Sequence, residues 1–183
     1  VRVNSSRAKP HYKLIFEDII RVPPNLISDE PNKKFINDKD LDFHLSNIIY
    51  NDSNYLILNK QHGISVHGGT NNNVGLIDLV RKKFGEHIDL CHRLDKNTTG
   101  CLVFGKNKKA VKHFNKTVSN NDVTKTYTAI LKGKLKKNIS INKPIYKDNP
   151  KKLKSSISNI KVIQHFKNST LTEIEISTGR THQ

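Results

Sequence analysis

The chain contains no methionine and no tryptophan, only two cysteines, and half as many acidic residues as basic ones, 16 against 32. Cys91 and Cys101 are too few for a disulfide framework or a cysteine-only metal quartet, so reduced thiols are expected. No apolar run approaches the ~20 residues that cross a bilayer. Residues 1–13 also lack the apolar stretch of a signal peptide. A cytoplasmic protein without membrane association is therefore expected. Methionine is absent even at position 1, and the chain stops at Gln183 inside what reads as a motif, so it is taken as a fragment truncated at both ends.

The shortage of acids leaves a formal net charge of +16 and a pI near 9.9. Such a balance asks for a polyanionic partner, either nucleic acid or an acidic membrane surface. A length of 183 residues suits one domain of moderate size, or a small module plus most of a second.

Residues 1–24 read as a small basic unit of short strands closed by Pro23-Pro24. Residues 25–46 are mostly polar and read as a linker. The main unit then opens with two strand-like runs, Ile48-Ile49-Tyr50 and residues 55–60, around an Asn-Asp-Ser-Asn turn. Val74, Ile77, Val80 and Phe84 recur at helical spacing before a stop at Gly85. Ala110, Val111, Phe114 and Val118 do the same, leaving Lys108, Lys109, Lys112 and Lys116 on the outer face. Residues 125–131 alternate like a half-buried strand with Tyr127, Ala129 and Leu131 on one side. A Lys-rich segment with Pro144 and Pro150 separates it from two more strands, residues 157–163 and 171–176.

The chemistry concentrates in Cys91-His92-Arg93-Leu94-Asp95-Lys96-Asn97-Thr98-Thr99-Gly100, which feeds the apolar run Leu102-Val103-Phe104. Asp95 thus sits on a loop entering a core strand, with Gly100 free to take a positive φ. Read locally, the carboxylate either caps its own turn through an Asx bond or is a reactive group held by a rigid strand. Other chemistries are excluded. No serine is marked as activated near His92 or His182, Cys91, His92 and Cys101 lack zinc spacing, and a glycosidase would need a second working carboxylate. Gly68-Gly69 and the three asparagines after it form a loop without the spacing of a phosphate-binding P-loop.

The words H-R-L-D-K-x-T-T-G-x-L-V-x-x-K resemble the signature of pseudouridine synthases of the RluA, RluC and RluD type, with Thr99 where serine is usual and Gly105 where alanine is usual. Residues 55–69 resemble the opening block of that family, with Gln61 in place of proline. Lys125-Thr126-Tyr127-Thr128-Ala129 and Thr178-Gly179-Arg180-Thr181-His182-Gln183 resemble two further blocks in the expected order. The likeness is nearest the RluC branch. It implies an α+β fold with a mixed, largely antiparallel sheet and a central cleft in residues 47–183, preceded in residues 1–24 by half of a small RNA-binding module.

The resemblance also implies an isomerase that turns uridines of 23S ribosomal RNA into pseudouridine as a monomer, with no cofactor and no metal. Asp95 is then the catalytic carboxylate, Tyr127 lines the active site, and Arg180 pairs with Asp95 within ion-pair distance. Arg93, Lys96, Lys106, Lys125 and His182 are the expected RNA contacts. The rival from another class is a catalytically inactive RNA-binding protein that serves ribosome assembly.

Overall fold

The computed structural model describes residues 2–9, 11–21, 37–68, 74–145, 153–180 and 183. It divides into two units, residues 1–35 and 36–183. In the smaller one, β1 (Arg2–Val3) pairs antiparallel with β2 (Ser6–Arg7) and β3 (Ile20–Arg21). Asn4 and Ser5 both take positive φ, 49° and 65°, as a tight hairpin turn requires. The Asp18 carboxylate accepts from Asn4 Nδ2, the Tyr12 hydroxyl and the Ile15 amide, which closes the intervening loop on itself. Lys9 and residues 11–14 form no strand.

The larger unit begins earlier than the sequence suggests. Within the stretch read as linker, α1 (Asp38–Leu45) is a helix: Asn37 caps it by accepting from the Lys39 amide, and Leu41 and Leu45 fall one turn apart facing the core. Leu45 is buried. Two core-facing leucines, with Phe43 exposed between them, make a weak periodic signal, and tertiary burial decided the outcome.

A four-stranded antiparallel sheet follows, in the order β4 (Ile48–Asn51), β5 (Tyr55–Lys60), β7 (Gly100–Gly105), β6 (Asp89–Leu90). Its inner face carries Leu56 and Leu58 from β5 and Leu102 and Phe104 from β7, all fully buried. Helix α2 (Leu76–Phe84) covers them with Leu76, Leu79 and Val80. Burying each such side chain contributes on the order of 1.5–3 kcal/mol, so this core dominates the stability of the unit. The Gly75 amide donates to the Asp78 carboxylate at the start of α2, and Gly85 ends the helix with φ 109°. Helix α3 (Lys108–Ser119), capped by Asn107, buries Ala110 and leaves its four lysines exposed.

The remaining strands form a second antiparallel sheet, β8 (Lys125–Lys132), β11 (Ser169–Ile176), β10 (Ile157–His165), β9 (Ile139–Asn142). Its register sets Tyr127 opposite Ile174, and Ile174 opposite Ile160. Those three share the sheltered face, on which an open depression of about 500 Å³ is bounded by Leu131, Ile141, Ile174 and Gln183. The architecture is α+β, as expected, with every described strand pair antiparallel and the strands of this unit divided between two sheets.

Candidate active site

Asp95 lies in the connection between β6 and β7, at the end of the first sheet. The connection is built as an extension of the sheet that then turns away. The Cys91 amide donates to the Val103 carbonyl at 3.0 Å, the Val103 amide donates to His92 Nε2 at 3.1 Å, and Leu94 packs against the core. The next four residues close a turn through the main chain, the Thr98 amide donating to the Asp95 carbonyl at 3.1 Å. Gly100 takes φ 110°, a conformation that disfavours any residue with a Cβ, and returns the chain to β7.

The local alternative of an Asx cap is therefore not realised. The turn is held by backbone, and the exposed Asp95 carboxylate accepts no hydrogen bond from any described residue. What fixes the turn comes from beneath. Lys60, 1% exposed, ends β5 with its Nζ donating to the carbonyls of Lys96 and Gln61, both at 3.0 Å. The Gly63 amide also donates to the Lys96 carbonyl at 3.0 Å. Burial lowers the Lys60 pKa, and the nearby negative charge of Asp95 works in the opposite direction.

Tyr127, on β8 of the second sheet, lies within electrostatic reach of Asp95. Its hydroxyl pKa is raised by burial first and by the charge of Asp95 second, so the phenol stays protonated at neutral pH beside the carboxylate. Lys125, two residues earlier and on the same face, acts electrostatically on His92. A Cβ placed on Gly179 would lie 3.8 Å from Lys125 Nζ, which puts the Thr178-Gly179-Arg180 turn against β8 as well.

Arg180 departs from expectation. Its guanidinium does not come within 4.0 Å of the Asp95 carboxylate; Nε donates instead to the Ser155 carbonyl at 3.0 Å. Gln183 explains the placement. Its Oε1 accepts from the Arg180 amide and the Thr178 hydroxyl, while its Nε2 donates to the Ile157 carbonyl and Ser158 Oγ, pinning the turn to the start of β10. A neutral carbonyl within reach of Nε then takes the place of the exposed carboxylate.

Of the expected RNA contacts, Arg93 and Lys96 flank Asp95 on the exposed loop, and Lys125 lies beside Tyr127. Lys106 is different. It follows the far end of β7, and its ammonium donates to the Asp52 carbonyl in the β4 to β5 turn, so the structure does not bring it to Asp95. His182 lies outside the described residues. Lys60, in turn, was missed. The signal was available, since Lys60 shares the buried alternation phase of Leu56 and Leu58, and a charge on that face needs a buried partner.

Residues 54–183 match the family model described as RNA pseudouridylate synthase. Among curated relatives, ribosomal large subunit pseudouridine synthase C of Buchnera aphidicola subsp. Baizongia pistaciae is 33% identical over 197 aligned residues, covering 100% of this chain and 62% of the relative. The protein of the same name from Vibrio parahaemolyticus is 33% identical, again over 100% of this chain and 62% of its own. The chain thus spans less than two thirds of the length of these relatives. Among solved structures, human RNA pseudouridylate synthase domain containing 4 shares the fold at a TM-score of 0.65 and 24% identity, over 79% of this chain and 64% of that one. The ordered blocks around Asp95, Tyr127 and Arg180, the fold and the family match together establish that the chain belongs to the RNA pseudouridylate synthase family.

Proposed function

We propose that the chain is the catalytic part of an RNA pseudouridine synthase, an isomerase acting on uridines of the large-subunit (23S) ribosomal RNA. The carboxylate of Asp95 carries this reading: exposed, unengaged by any described residue, and held on a braced turn facing Tyr127. The reaction breaks the bond between uracil N1 and the ribose, turns the base, and joins C5 to the same sugar carbon. The C5 proton leaves and N1 ends protonated, so nothing is oxidised or reduced and no redox cofactor is needed. Asp95 serves either as nucleophile toward the sugar or as the base that removes a sugar proton, and both routes need a carboxylate with no competing partner.

The half-buried ring of Tyr127 holds the extruded base, and its hydroxyl relays the proton at C5. Uridine in a stem cannot reach Asp95, so the target is flipped out or lies in a loop. Arg93, Lys96 and Lys125 meet the phosphates around it, and the exposed lysines of α3 extend the track. Arg180 adds its terminal nitrogens, for which no hydrogen bond to a described residue is formed, to a phosphate or to Asp95 once RNA is bound. His182 belongs to the same motif and is assigned to RNA as well. Residues 1–24 are assigned as part of an RNA-binding module. Lys60, Asp95 and Tyr127 come from one unit, which supports action as a monomer. Among the described residues no helix is long and apolar enough to cross a membrane; the cytoplasm, where ribosomes assemble, is the proposed location.

Incubating the intact protein with ribosomal RNA tritiated at uridine C5 tests the proposal. Tritium release is expected. Tight RNA binding without release would instead identify an assembly factor that binds without catalysis.

A further inference from the structure

The His92 side chain of the Asp95 loop contacts two other elements at once, β7 and α3. Pairing between β6 and β7 ends at Leu90 and Phe104. One residue on, Cys91 and Val103 make only half of the usual exchange: the Cys91 amide donates to the Val103 carbonyl, but the Val103 amide turns to His92 Nε2 instead of a carbonyl. The ring stacks on Phe114 of α3, centroids 5.8 Å apart and planes 16° apart. The charge of Lys125 on β8 also acts on it.

We infer that His92 is a positioning residue for Asp95: as a neutral imidazole it stands in for a sheet carbonyl on Val103 and ties the entry of the Asp95 turn to β7. This rests on the reading of Asp95 given above. An acceptor at Nε2 requires that nitrogen to carry no proton, which fixes the tautomer with hydrogen on Nδ1. Only Arg93 and Leu94 then separate the tether from Asp95; Leu94 packs against the core, and the Lys60 bond to Lys96 holds the chain on the far side of Asp95.

Protonating the ring would set N–H against N–H at Val103, and the tether would open. Burial foremost, and Lys125 in addition, oppose protonation, while the Arg93 main chain favours it. Cys91, the preceding residue, has a thiol pushed up to about 11 and stays neutral. β7 presents the Val103 amide to the ring and α3 presents the Phe114 ring, neither of which titrates.

Nitrogen-15 spectra of the ring in the intact protein, joined to pH profiles of turnover for wild type, His92→Gln and His92→Leu, test the inference. The wild-type ring should show an unprotonated Nε2 at neutral pH. His92→Leu leaves the Val103 amide unpaired, and kcat should fall about tenfold or more while KM for RNA changes little. Glutamine restores an acceptor that cannot take a proton, so His92→Gln should recover much of that loss and shift the acid limb of the kcat profile to lower pH. Should His92→Leu fail to fold, the shifted acid limb of His92→Gln carries the test alone. A protonated Nε2, or a folded His92→Leu protein with wild-type kcat and pH profile, overturns the inference and leaves the synthase reading intact. A wild-type protein without turnover sinks that reading, and the positioning role with it.

Discussion

Lys60 Nζ donates to the main-chain carbonyl of Lys96 at 3.0 Å, so a buried ammonium at the end of β5 holds the residue immediately after Asp95. The Asp95 turn is thereby fixed by the first sheet, and its carboxylate acts electrostatically on Tyr127 of the second.

Removing that ammonium should cost both stability and turnover. Lys60→Met keeps the volume but leaves the Gln61 carbonyl without its partner and the Lys96 carbonyl with only the Gly63 amide. A loss of about 1–3 kcal/mol is expected in urea denaturation. Turnover should fall by more than RNA affinity, and a variant with wild-type stability would show that the brace is idle.

Gly75 marks a second dependence on close approach. A Cβ there would lie 2.4 Å from the His67 and Gly68 backbones, where no flexible side chain can give way. Gly75→Ala should therefore destabilise the unit by about 1–3 kcal/mol through overpacking, read as a lowered denaturant midpoint.

Stability should also fall in mild acid through His92. Burial holds its folded pKa below the ordinary 6.5, so as pH drops the unfolded chain takes up the proton first. The contribution is complete above 6.5 and is lost as pH falls from there toward the folded value. Denaturant midpoints at about pH 7.5 and about pH 5.5 should differ, and by less in His92→Gln, which has no such proton to bind.

RNA affinity should depend steeply on salt. With about five lysine and arginine side chains on single-stranded phosphates, log affinity against log salt should slope at roughly −3 to −4. Replacing Lys109, Lys112 and Lys116 of α3 with glutamine should flatten the slope by about 0.7 for each of these ammonium groups that meets a phosphate. An unchanged slope would remove α3 from the RNA track.

Much of this arrangement was legible in local pattern. The helical spacing from Ile77 to Phe84, the alternation of residues 125–131 and the turn chemistry ending at Gly100 each reappear in α2, β8 and the entry to β7. These elements carry their own periodicity, and burial agrees with it. What escaped was set by distant partners. Helix α1 depends on Leu45 finding a core made by later strands. Arg180 was expected on Asp95, but Gln183 and Ser155, brought together only by the folding of β10, decide where its guanidinium goes. The role of Lys60 depends on the Lys96 carbonyl, which the fold brings to it from another loop.

The central claim is that one carboxylate carries the chemistry and many cations carry the binding. Asp95→Asn is nearly isosteric, and among described residues the side chain has no partner to lose, so the fold should be unaffected. The direct measurement is tritium release from C5-tritiated ribosomal RNA by the purified intact Asp95→Asn protein, alongside its RNA affinity. Release should vanish while affinity stays within about tenfold, or ~1.4 kcal/mol, of wild type. Steady release from a preparation free of wild-type protein and of deamidated side chains would contradict the account.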